Sequence, residues 1–124
     1  TGRLYSIKVE PEAQEIINRY KGVGQLLYML DRCSDYRYYA QKLNKVVNAV
    51  CHEACPSVQE NVTTYWARHS WATIAASLDI PKETIAAALG HGGNTVTDIY
   101  IDFDRRKVDE ANRKVINWVL YGKR

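Results

Sequence analysis

Between Asp35 and Cys55 the apolar residues fall at Tyr36, Tyr39/Ala40, Leu43, Val46/Val47, Val50/Cys51 and Ala54. A recurrence every three to four positions is the period of one helix face, here kept for about five turns. A strand would put alternate residues on opposite faces, so this stretch cannot be one. The chain is therefore organised around a long helix whose apolar stripe is expected to face a core, with Pro56 as its stop. The opposite face carries Gln41, Lys42, Lys45 and Asn48, a solvated surface on which Lys42 and Lys45 are possible contacts to a phosphate backbone.

The remaining segments add helices of the same kind. Pro11, followed by Glu12 and Glu15 near the positive end of the macrodipole, starts a helix that ends near Tyr20 and is broken by Gly22 and Gly24. Gly24 to Leu30 is ambiguous between strand and helix, and Asp31 to Ser34 reads as a loop. Thr63 and Thr64 can cap a helix whose core positions are Ala67, Trp71, Ile74, Ala75 and Leu78. Asp79-Ile80-Pro81 turns the chain into a short helix from Lys82 to Leu89, which Gly90 stops. After a turn at His91-Gly92-Gly93-Asn94, Thr95 begins a short helix to Tyr100. Asp104 can cap a last helix over 105–124 with apolar positions Val108, Ala111, Val115 and Val119. The alternation Leu4-Tyr5-Ser6-Ile7-Lys8-Val9 predicts a strand, which alone would have nothing to pair with and reads as half of a hairpin begun before Thr1. The fold class is thus mainly α with a residual N-terminal strand.

Composition permits one ordinary globular domain, 46% hydrophobic and 25% charged in 124 residues. No apolar run approaches the roughly 18 residues of a membrane span and Thr1-Gly2-Arg3-Leu4 has no signal-peptide character, so the expected setting is intracellular and cytoplasmic. A formal charge of +3 allows nucleic-acid binding without announcing it. Three cysteines give no disulfide framework. Cys51 and Cys55 share a helix face, but His52 points about 100° away and zinc wants four ligands, so two buried thiols are the expectation.

Chemistry concentrates between Tyr65 and Tyr100. Arg68 follows Tyr65 in the first turn of a helix, where its planar guanidinium and nearby backbone N–H groups suit a phosphate. His91 can move a proton near neutral pH, and Tyr100 carries a hydroxyl able to act as a nucleophile. Singly, a capping histidine and a buried structural tyrosine would explain the last two; with Arg68 upstream, phosphoryl transfer explains all three.

Tyr65-x-x-Arg68-His69, Leu89-Gly90-His91 and Tyr100 nine positions on, with Trp71-Ala72-Thr73 between, resemble the tyrosine recombinase, or phage integrase, catalytic domain in its C-terminal half. Tyr65 stands where the family has histidine. The resemblance runs from about Thr63 to Tyr100 and transfers no role beyond Asp104. It implies a helical catalytic subdomain that performs site-specific recombination or integration on double-stranded DNA. Tyr100 would attack a backbone phosphorus to leave a 3′-phosphotyrosyl link, Arg68 and Tyr65 would hold the phosphate, and His91 would assist the proton. The phosphotyrosine conserves the bond energy, so neither metal nor cofactor is required. His69, Arg105 and Arg106 join Lys42 and Lys45 as possible DNA contacts.

The family also uses a second arginine and a hairpin lysine, for which this sequence offers no position. The resemblance therefore implies residues 1–124 as the C-terminal portion of an integrase catalytic domain, cut on its N-terminal side and inactive alone. Its partners would be DNA and other recombinase protomers, against which the last helix could dock, in a prokaryotic or mobile-element setting. The rival reading is a non-catalytic helix-turn-helix that reads bases with Lys82, Glu83 and Thr84. Three alanines follow those residues, and the rival gives His91 and Tyr100 no task.

Overall fold

The computed structural model describes residues 7–91 and 105–124, which contain six helices. The chain divides into two compact units, Val9–Trp66 on the one hand and Thr1–Lys8 with Ala67–Arg124 on the other. The mainly helical expectation holds. Of the expected strand, Leu4 to Ser6 lie outside the described residues, and Ile7 to Val9 are irregular. Among the described residues the sole β-type pairing is an isolated antiparallel bridge between Lys21 and Leu27.

In the Val9–Trp66 unit, α1 (Pro11–Arg19) has proline in its first turn and a surface Glu15–Arg19 pair at 3.1 Å near its end. The ambiguous stretch that follows is a loop to Leu27 and then one turn of helix that takes in Asp31, and Tyr28 N–H closes the loop by donating to the Tyr20 carbonyl at 2.8 Å. Asp31, the last residue of the one-turn α2 (Tyr28–Asp31), holds this loop from within. Its carboxylate accepts N–H bonds from Val23, Gly24 and Gln25 at 2.7, 2.9 and 2.7 Å. These bonds, that from Val23 foremost, hold the Asp31 carboxyl below its ordinary pKa against the opposing cost of desolvation. Gly22 is required here, because a Cβ would lie 2.3 Å from the Gln25 carbonyl oxygen.

The long helix α3 (Tyr36–Ala54) starts where the sequence places it: Asp35 is the N-cap and accepts from Arg37 N–H at 2.8 Å. Its buried side differs from the expectation. None of its residues is fully buried, and Tyr36, Val46 and Val50 are 72%, 60% and 57% exposed. The chain from Glu60 to Thr64 is bonded along another flank. Asn44 accepts from the Thr64 N–H and hydroxyl, each at 3.0 Å, Asn48 from Val62 N–H at 2.8 Å, and His52 Nε2 donates to the Glu60 carbonyl at 2.9 Å. Residues at i, i+4 and i+8 share a helix face, so three polar side chains bond this segment to α3, alongside the stripe members Ala40, Val47 and Cys51, which are half-buried. Thr64, expected as a cap, spends its hydroxyl on Asn44 instead. Cys55 is the exposed C-cap of α3 rather than a buried thiol, and Cys51 is half-buried.

The other unit contains α4 (Trp66–Ser77) from Ala67 onward, α5 (Lys82–Ala88) and α6 (Arg105–Tyr121). Ala75, Ile80, Ala111 and Val115 form its core, with Trp71, Ile74, Leu78 and Ile85 packed around them. These are largely the expected positions, although Ala67 is exposed. The indole N–H of Trp71 donates to Asn112 at 3.0 Å, tying α4 to α6. No described helix is long and apolar enough to cross a membrane.

Candidate functional site

The ends of α4 and α5 decide where the candidate residues stand. At the end of α5, His91 N–H donates to the Ala86 carbonyl at 2.9 Å and Gly90 N–H to that of Ala87 at 3.1 Å. This pair of bonds is a Schellman turn, and it requires a left-handed residue, supplied by Gly90 at φ 71°. In the Leu89-Gly90-His91 motif the glycine thus ends the helix, and the histidine is the first residue beyond the reversal.

Arg68 sits in the first turn of α4, half-buried. Its Nη2 donates to the Leu89 carbonyl at 2.5 Å and lies 3.1 Å from His91 Nε2. The first bond seats the guanidinium on the end of α5; the second joins two of the sequence-predicted residues, 23 positions apart, into one group. Guanidinium has only donors, so in this contact His91 Nε2 is the acceptor. Among the described residues the pair presents a cation and a proton acceptor at a partly open surface, a combination suited to an oxyanion and a hydroxyl.

Tyr65 stands exposed in the turn before α4, in the Val9–Trp66 unit. Tyr100, its expected helix from Thr95, and the Asp104 cap lie outside the described residues. His69 is exposed beside Arg68 on α4. Arg105 and Arg106 are exposed in the first turn of α6, where positive charge opposes the macrodipole. Lys42 and Lys45 are exposed on α3, with Lys42 Nζ 4.7 Å from the centroid of the Tyr38 ring.

Three findings bear on the other sequence readings. A cavity of about 280 Å³ between the start of α5 and α6 is lined by Ile80, Thr84 and Lys107 among others, and neither Arg68 nor His91 contributes to it. The Arg68–His91 contact therefore lies outside this cavity. Thr84 is 5% exposed, which removes it from the base-reading set a helix-turn-helix would need. No group of His, Cys, Asp and Glu able to hold a metal occurs among the described residues, and His52 is turned to the Glu60 carbonyl.

Sequence reasoning missed the Leu89 carbonyl as a holder of Arg68, since a backbone atom leaves no mark on residue identity. Compared with known proteins, the chain matches no family model, and neither a curated protein nor a solved structure matches it significantly.

Proposed function

We propose that this chain carries the arginine, histidine and tyrosine of a tyrosine-recombinase active site and takes part in DNA strand cleavage and rejoining through a 3′-phosphotyrosyl intermediate. The observation that supports the reading most is the Arg68–His91 contact at 3.1 Å, since residues named by motif spacing meet across 23 positions. In this mechanism Tyr100 Oη bonds to a backbone phosphorus as the 5′-oxygen leaves. A phenol of pKa about 10 is only about 0.1% ionised at pH 7, so its proton must depart during attack, with His91 as the acceptor. Arg68 neutralises the oxygens on which charge accumulates, a contribution of about 10²–10³ in rate. Tyr65 offers a hydrogen bond but no positive charge.

The proposal gives these residues only part of the site. The second arginine and the lysine of the resembled family have no counterpart at any position here, so residues 1–124 alone should bind DNA weakly, with affinity falling as salt rises, and cleave it negligibly. The test uses the chain joined to the segment that supplies them. A nicked recognition duplex is incubated with that protein, the mixture is denatured, and the covalent protein–DNA product is digested and sequenced by mass spectrometry. The expected attachment is Tyr100. Attachment at Tyr65 or Tyr121 would refute the assignment, and intact DNA binding with no adduct would refute the chemistry.

A further inference from the structure

The Arg68–His91 contact has a chemical direction. Arg68 donates, so His91 Nε2 must supply a lone pair, and that lone pair is the one a general base would use. The same Nη2 is anchored by the Leu89 carbonyl, an acceptor that Gly90 and the α5 reversal hold in place. A free histidine in water prefers the opposite tautomer, with the proton on Nε2. The contact therefore selects a minority form and turns its basic nitrogen toward a cation.

We infer that Arg68 fixes His91 as the Nδ1–H tautomer and masks its basic nitrogen, and that a phosphate oxygen binding to Arg68 displaces His91 and so exposes the base. The second half rests on the phosphate-site reading above; the first half rests on the contact alone. An anionic oxygen is the stronger acceptor for guanidinium, because a charge-assisted bond is roughly twice as strong as one to a neutral partner. When phosphate takes over the Nη2–H, Nε2 is left with its lone pair and no donor. It can then accept the proton of an attacking hydroxyl while the O–P bond forms and the bond to the 5′-oxygen breaks; that oxygen takes a proton from water, and the hydroxide left is neutralised by the imidazolium proton. In this scheme Arg68 is also a positioning residue for His91, and base strength appears only once a phosphate is seated.

The test is ¹⁵N spectroscopy of the His91 ring at about pH 8.5, roughly two units above the ordinary imidazole pKa of about 6.5, on residues 1–124 as they stand. The expected result is a bare Nε2 and a protonated Nδ1 in the wild type. In Arg68→Met, which deletes the donor and keeps an unbranched stem, the ring should return to the Nε2–H form. A wild-type ring already in the Nε2–H form, or the same tautomer in both proteins, overturns the inference. Titration with inorganic phosphate separates the two halves. The Arg68 side-chain and His91 ring signals should move together along one binding curve, the ring drifting toward its solution tautomer, with no His91 response in Arg68→Met. Movement of Arg68 while His91 keeps Nδ1–H overturns the displacement step, and so does silence of both signals. Silence would also count against the phosphate-site reading, whereas an Nδ1–H ring in phosphate-free wild type would still uphold the tautomer assignment.

Discussion

The ends of α4 and α5 are built from the same backbone bonds and serve different purposes. Ile80 N–H reaches the Ala75 carbonyl and Asp79 N–H that of Ala76, each at 3.1 Å, just as His91 and Gly90 bond to Ala86 and Ala87. Both turns hold a left-handed residue, Asp79 at φ 59° and Gly90 at φ 71°. The residue delivered beyond the turn differs. After α4 it is Ile80, 8% exposed and part of the core; after α5 it is His91, exposed and bonded to Arg68. One helix ending feeds packing and the other feeds a polar site, so the motif supplies geometry alone and the delivered side chain sets the role.

Substitutions at the delivered residues should separate the two ends most widely. Ile80→Ala removes buried methyl groups and should cost about 2–5 kcal/mol of unfolding free energy, whereas His91→Ala should change stability by no more than about 0.5 kcal/mol. Urea unfolding followed by tryptophan fluorescence measures both. Comparable losses would mean that the two ends are not used differently.

A smaller effect is expected at the left-handed residues. Gly90→Val forces a β-branched residue to positive φ, costing about 1–2 kcal/mol, and should disturb the Arg68–His91 contact as well. Asp79→Gly relieves the milder strain of an aspartate in that region and should raise stability by less than about 1 kcal/mol, with no effect on the His91 ring. Thermal melts and ring ¹⁵N shifts read the two outcomes. If Gly90→Val left His91 unchanged, the turn would not be what positions the histidine.

The smallest expected effect lies in the other unit, as a control on both ends. Asp31 has its folded pKa depressed by the loop N–H bonds, so its contribution is present above the ordinary carboxyl value and is lost as pH falls through the folded value. The stability difference between wild type and Asp31→Asn should therefore shrink on acidification below about pH 4. A difference that grows with acid would contradict the sign. Neither the Ile80 nor the His91 substitution should alter this pH dependence.

Sequence legibility followed the same division between backbone and side chain. The bounds of α3 were readable from the apolar period that begins after Asp35 and from Pro56, because side-chain periodicity and proline sterics are local. The core set Trp71, Ile74, Ala75 and Leu78 followed from helical period, and the Arg68–His91 meeting from motif spacing. The packing side of α3 was not readable. It includes side-chain bonds from Asn44, Asn48 and His52 to a segment whose path the sequence does not encode locally. Asp31 as the anchor of a loop was missed for the same reason, its partners being backbone N–H groups. The strand predicted by alternation failed over Ile7 to Val9 because two-residue periodicity gives a face and not a pairing partner.

The most direct measurement of the account is the initial rate of covalent protein–DNA adduct on a nicked duplex, compared among Tyr100→Phe, Arg68→Ala and His91→Ala in a chain extended to carry the second arginine and the lysine that the proposed reaction calls for. Phe keeps the ring and deletes the oxygen that bonds to phosphorus, so Tyr100→Phe should give no adduct while DNA binding persists. Arg68→Ala should lose both phosphate grip and the control of His91, bringing the rate close to background. His91→Ala should slow adduct formation by about 10²–10⁴ and still form the link, because a base assists the step without making the bond. Wild-type adduct yield from Tyr100→Phe would contradict the account.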